Sequence, residues 1–216
     1  MVINMLKDNK PESPYRNNVL RQDKLLWIAR EYQKQRIEYV EIADTDLVKI
    51  GEPAIKLLEE VHQIFPEIEK ETGVAIRFLA AIRRIPLTII KGVNTRDSYL
   101  LDNLNVIKAV AKSPYVVGSD FIGEEINDIT ELKPVIRELV NYVVNEDENF
   151  TIRIHAGEND SLRGNVSKSI ESVIEATPEG KNIPKVRIGH GLYTPNLESK
   201  EGKKLLKNLK KSKAVL

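Results

Sequence analysis

The sequence predicts an α/β fold of the (β/α)8 TIM-type barrel class, and three observations carry the prediction. Strand-like and helix-like stretches alternate from about residue 20 to the end, the order that gives parallel strands joined by helical crossovers. Runs such as VAIRFLAAI (74–82) and YVV (115–117) are apolar without alternation, as strands covered on both faces are. Polar residues fall where the runs end, at Asp120, His155 and His190, and a barrel places its active site on that rim. An open dinucleotide-binding sheet would need a glycine-rich fingerprint after its first strand, and none is present.

The elements follow in order. Residues 1–18 are polar, hold Pro11 and Pro14, and read as a lead-in loop; residues 19–216 read as one partial barrel domain. Leu25, Ile28, Ala29 and Tyr32 repeat at helical spacing across 23–36. EYVEIA (38–43) is the first strand. Pro53 stands near the start of the next helix, where proline is tolerated. Its apolar face is Ala54, Leu57, Leu58, Val61 and Phe65, and Gly73 closes the turn into the second strand. A helix over 97–112 carries Leu100, Leu104, Ile107 and Ala111; YVVGSDF (115–121) is the third strand. Thr130 is the expected N-cap of a helix with Leu132, Ile136, Leu139, Val140 and Val143. FTIRIH (150–155) is the fourth strand, and Asn165 is the expected cap of a helix with Val166, Ile170, Val173 and Ile174. KVRIGH (185–190) is the fifth. A lysine-rich helix from Lys200 presents Leu205, Leu206 and Leu209, and KAVL (213–216) reads as the opening of a sixth strand.

Composition narrows the function. The 216 residues are 41% hydrophobic and 30% charged, with net charge +1. That balance offers no global field to draw nucleic acid or anionic membrane. The absence of cysteine excludes disulfides, thiolate metal sites and zinc deaminases built on His/Cys/Cys. It also fits a reducing compartment, and a cytoplasmic location is expected. No stretch approaches the ~18 apolar residues of a membrane helix, and residues 1–18 contain no signal-peptide core. The seven lysines of 200–213 accompany leucines at helical spacing and read as a solvated helix face. Glu59, Glu60, Glu67, Glu69 and Glu71 read as helix-surface acids with no chemical role.

Candidate chemistry concentrates in FTIRIHAGE (150–158) and RIGHGL (187–192). Each is a β-branched run, a histidine at its end, then a glycine. A strand-end histidine either ligates a metal or is a hydrogen-bonded core residue. A glutamate three residues on, Glu158, either shuttles a proton or is a solvated loop acid. The third histidine, His62, lies on the apolar-striped helix and reads as a surface or packing residue.

HAGE (155–158) followed by RIGHG (187–191) resembles the adenosine deaminase family of zinc-dependent hydrolases. VVGSDFIGEE (116–125) resembles the family's preceding V-G-x-D-x-x-G-[DE]-E segment. YVEIAD (39–44) resembles its second strand, and IRFLAAIRR (76–84) stands where its third would be. VRIGHGL and the stretch after HAGEND are similar, more weakly, to growth-factor-type members. The resemblance runs from about residue 20 to the end. It implies a barrel of the metal-dependent hydrolase superfamily and hydrolytic deamination of adenosine, or a related 6-aminopurine nucleoside, to inosine and ammonia. By the same resemblance, His155 is a ligand of a single Zn2+, Glu158 protonates N1 of the purine, and His190 orients and deprotonates the attacking water. The backbone of Gly123 contacts the purine, and Asp120 positions the rim.

Departures from the family pattern shape the expectation. The family's His-x-His pair at its first strand is not in this chain, nor is the aspartate pair at its eighth, and Ala43 stands where arginine is usual. The chain therefore reads as strands two to the start of seven, incomplete and inactive alone. Its open barrel edges are expected to favour self-association. The alternatives are a non-catalytic deaminase-like barrel acting as a binding or assembly module, and a nucleotide deaminase acting on AMP.

Overall fold

A computed structural model describes residues 21–84, 96–123, 125 and 128–216, with side chains for all of these except 21 and 96–100. The predicted lead-in loop (1–18), the Leu100 side chain and Glu124 lie outside the described residues. The chain forms an α/β fold of five strands in one sheet, ordered β1-β2-β3-β4-β5 as in sequence. It groups into two compact units, one of Met1–Ile42 with Lys56–Arg77, the other of Ala43–Ile55 with Phe78–Leu216.

The first unit contains helix α1 (Arg21–Lys34), most of strand β1 (Tyr39–Asp44), most of helix α2 (Glu52–Thr72) and the start of strand β2 (Ala75–Arg83). Leu25 and Ala29 of α1 are buried, as are Leu57, Val61, Ile64, Phe65 and Ile68 of α2. The α2 helix runs on through Pro66, beyond Phe65, the last residue of the predicted apolar face. Pro66 and His62, one turn before it, are both exposed. Arg30 Nη2 meets Glu71 Oε1 at 2.6 Å on the unit's surface.

In the second unit, β2 from Phe78, β3 (Val116–Ile122), β4 (Thr151–Ala156) and β5 (Val186–His190) pair in chain order, and each of these pairings is parallel. Chain order without a reversal is how a singly wound barrel is built, and it agrees with a partial (β/α) barrel. Helices α3 (Arg96–Val110), α4 (Lys133–Asn145), α5 (Asn165–Ala176) and α6 (Lys200–Ser212) follow their strands. Phe121, Ile152, Ile154, Ile136, Leu139, Ile170 and Val173 form much of its buried core. Val215 bridges Arg187 in parallel, with Ile188 N donating to Val215 O at 2.8 Å, so KAVL does begin to pair beyond β5.

Two expected caps are corrected. Asp128, not Thr130, caps the chain after β3: its carboxylate accepts from Thr130 N at 2.9 Å, and the turn Ile129–Leu132 precedes α4. Asp128 stands two residues before the N–H it caps, the reach of an Asx turn. Gly164, not Asn165, occupies the cap position of α5. The Asn165 side chain is engaged elsewhere: Oδ1 accepts from Ile129 N at 3.1 Å and Nδ2 donates to Glu125 at 2.9 Å. Among the α6 leucines, Leu205 is buried and Leu206 exposed, so the apolar stripe is narrower than the sequence pattern. No helix among the described residues is long and apolar enough to cross a membrane.

Candidate active site

Strand register sets the site. Asp120 of β3 lies beside Arg153 of β4, and His155 lies beside Gly189 of β5. Side chains alternate along a strand, so Asp120, Arg153 and His155 share one face. Gly189 makes room there, since a Cβ on it would stand 2.9 Å from Cδ2 of the His155 ring.

The His155 ring is fixed by a buried acid. Nδ1 lies 2.9 Å from Asp120 Oδ1, and Asp120 has no exposed surface. A carboxylate only accepts, so Nδ1 carries the hydrogen and, in the neutral ring, Nε2 keeps its lone pair. Asp120 Oδ2 makes no hydrogen bond, and Arg153 Nε lies 3.6 Å from it.

His190 ends β5 in the left-handed region, φ 72°. Histidine reaches it more readily than bulkier residues, yet held there it carries strain of the kind found at functional sites. Its ring centroid lies 5.2 Å from that of His155, with planes tilted by 59°. Its Nε2 lies 3.7 Å from Glu158 Oε2, and both side chains are partly exposed. The structure thus brings His155, His190 and Glu158 together, the three residues singled out for chemistry in the sequence. Gly123 sits one residue past β3 with φ 104°, and the atoms nearest a Cβ added there all belong to Arg84. Its neighbours are thus Arg84 atoms rather than the histidine pair. His62 is exposed on α2, in the other unit.

The sequence assigned no role to Glu125 or Arg84, and it assigned Asn165 only the cap that its side chain does not make. Glu125 is 3% exposed. Its carboxylate accepts from Gly157 N at 3.0 Å, Glu158 N at 2.7 Å, Asn159 N at 3.0 Å and Asn165 Nδ2 at 2.9 Å. Burial alone would raise its pKa; the N–H groups of Gly157 and Asn159, the Asn165 amide and the Glu158 N–H outweigh that and hold it below the ordinary carboxylate value. Arg84, 5% exposed, donates through Nη2 to the His155 carbonyl. Its Nε and Nη1 make no hydrogen bond. Burial lowers its pKa, against the opposing charges of Glu125, Glu158 and Asp120. The one sequence signal for Glu125 was its place at the end of the VVGSDFIGEE segment (116–125), to which no separate role was attached.

The depressed Glu125 pKa makes a pH prediction. A carboxylate whose folded pKa is lowered contributes stability that is present above its unfolded value and lost as pH falls through the folded one. The stability difference between the native chain and Glu125→Gln is therefore expected to stay constant from neutral pH down to the ordinary carboxylate range. It should shrink only below that range, as denaturant midpoints at successive pH values would record.

Among the described residues, no group of three or more His, Asp or Glu side chains is placed to share a metal ion. No protein-family model matches this chain, and no curated protein gives a match.

Proposed function

We propose that His155, Glu158 and His190 belong to a site for hydrolytic deamination of adenosine, or a related 6-aminopurine nucleoside, on a barrel of the metal-dependent hydrolase type. What supports the reading is their convergence. Three residues that the family resemblance pairs with one reaction, from two segments about thirty residues apart in sequence, meet at adjacent strand ends.

The donor chemistry suits zinc at one position. Asp120 takes the Nδ1 hydrogen of His155, the carboxylate–imidazole arrangement that stands behind zinc-bound histidines. Catalytic zinc takes about three protein ligands, and the described residues do not converge as such a set. The rest would be carboxylates or donors outside this chain, because its third histidine lies on α2. When bound, zinc supplies a water whose pKa is lowered to about 7.

The chain's own residues have separable parts in this reading. Glu158, half exposed beside His190, delivers a proton to N1 of the purine and makes C6 electrophilic. His190 accepts the proton of the attacking water. The water oxygen adds to C6 and leaves that carbon tetrahedral. His190 passes the proton it took to the amino nitrogen, the C6–N bond breaks and ammonia departs. The proton left on the new oxygen returns to Glu158, giving inosine with N1–H and C6=O. Asp120 holds the His155 tautomer throughout.

The test is ultraviolet conversion of adenosine to inosine with Zn2+ added, on this chain and on one extended at both ends. The reading predicts deamination in the extended chain. Deamination in neither would overturn it.

A further inference from the structure

We infer that Glu125 and Arg84 are positioning residues that clamp the backbone of the 155–159 segment and so present His155 and Glu158 together. This rests on the site reading above but is carried by different atoms. The segment leaves β4 and turns at Gly157, where φ is 76°. Such a turn exposes consecutive backbone N–H groups with no strand partner, and buried orphans of this kind are costly. Here the N–H groups of Gly157, Glu158 and Asn159 all donate to one carboxylate, Glu125. The His155 carbonyl, on the strand side of the turn, accepts from Arg84. The four backbone groups flanking the turn are thus held by side chains from the ends of two other strands, β2 and β3.

The arrangement has a consequence for chemistry. The side chains of His155 and Glu158 contribute nothing to holding their own backbone. They are left to face Asp120 and His190 instead. Charge is arranged to the same end. Burying the Glu125 carboxylate is tolerated because it accepts four hydrogen bonds, and bonds to a charged acceptor are the stronger kind. The Arg84 guanidinium lies within electrostatic reach of Glu125, Glu158 and Asp120, so it offsets three acids near the rim. Asn165 ties the clamp to the next layer, joining Glu125 to Ile129.

Glu125→Gln isolates this role because it conserves shape. A glutamine has one acceptor oxygen and one donor nitrogen. If the nitrogen takes the Oε2 place, it faces the N–H groups of Glu158 and Asn159. If it takes the Oε1 place, it faces Gly157 N–H and the Asn165 amide. Either way two of four bonds are replaced by donor–donor contacts. Amide hydrogen exchange on the whole chain reads the result directly. Exchange at Gly157, Glu158 and Asn159 is expected to quicken roughly tenfold or more, while β4 and α5 amides keep their rates. Asn165→Ala, which removes one bond to Glu125, should quicken the same amides less, and it serves if the glutamine variant does not fold.

Unchanged exchange at those three amides would overturn the clamp whether or not the chain acts on purines. In an extended chain that deaminates, Glu125→Gln should lower kcat about tenfold with KM little changed. A quickened turn with kcat unmoved would reduce Glu125 to a structural residue and overturn the positioning role. Absence of deamination in every chain would count against the proposed function alone, with the exchange rates still deciding the clamp.

Discussion

Glu158→Gln is expected to lower the rate of adenosine deamination about 10²- to 10⁴-fold, the usual contribution of a positioned general acid. The variant removes a titratable proton and little else. Glu158 is half exposed; His190 Nε2 lies 3.7 Å from its Oε2, too long for a hydrogen bond, and the Arg84 charge also reaches it. Its structural tie is through its backbone N–H to Glu125, which the substitution leaves in place. Stability should therefore change by no more than about 0.5 kcal/mol, and KM should move little. The measurement is the inosine-forming rate of an extended chain with and without the substitution, beside denaturant melts of both. A rate within tenfold of the native chain would remove Glu158 from the proton transfer.

Gly157→Ala is expected to be the costliest single methyl in the second unit's rim. Two effects add. The residue sits at φ 76°, a left-handed conformation that costs an L side chain about 1–2 kcal/mol. The new Cβ would stand 2.8 Å from Val166 Cγ2, 2.9 Å from the Tyr193 carbonyl oxygen and 3.2 Å from Gly191 Cα. Overpacking of this kind costs about 1–3 kcal/mol more, for a total of about 2–5 kcal/mol. Gly180 is the internal control. Its φ is 78°, but nothing lies within 4 Å of a Cβ there, so Gly180→Ala should carry only the conformational part. The two variants' denaturant midpoints should thus differ by the packing contribution. Equal losses would show that the 155–159 turn is less tightly enclosed by Val166 and Tyr193 than the structure has it.

Most of the second unit was legible from periodicity. β3, β4 and β5 fell within a residue or two of the runs that predicted them, because each is an apolar run bounded by turn residues. The helices that follow them were legible for the matching reason, their apolar residues recurring at helical spacing. The site's two histidines were legible because strand ends are marked by glycines at 157, 189 and 191. What was not legible depends on partners far apart in sequence. Glu125 and the N–H groups it holds are separated by 32 to 34 positions, and Arg84 by 71 from the carbonyl it holds. No local pattern encodes such a pairing. Asn165 was misread for the same reason: an asparagine before an apolar run looks like a cap, whereas its side chain is committed to Glu125 and Ile129.

The central claim is that His155 and His190 face a common purine site and His62 does not. The most direct measurement follows the imidazole signals of all three histidines by NMR while adenosine is added to the chain. The account predicts that adenosine shifts His155 and His190 together, along one saturable curve, and leaves His62 on α2 unmoved. Inosine, lacking the 6-amino group, should shift them less at equal concentration. Signals of His155 and His190 that stay in place, or a His62 signal that moves as far as theirs, would contradict it.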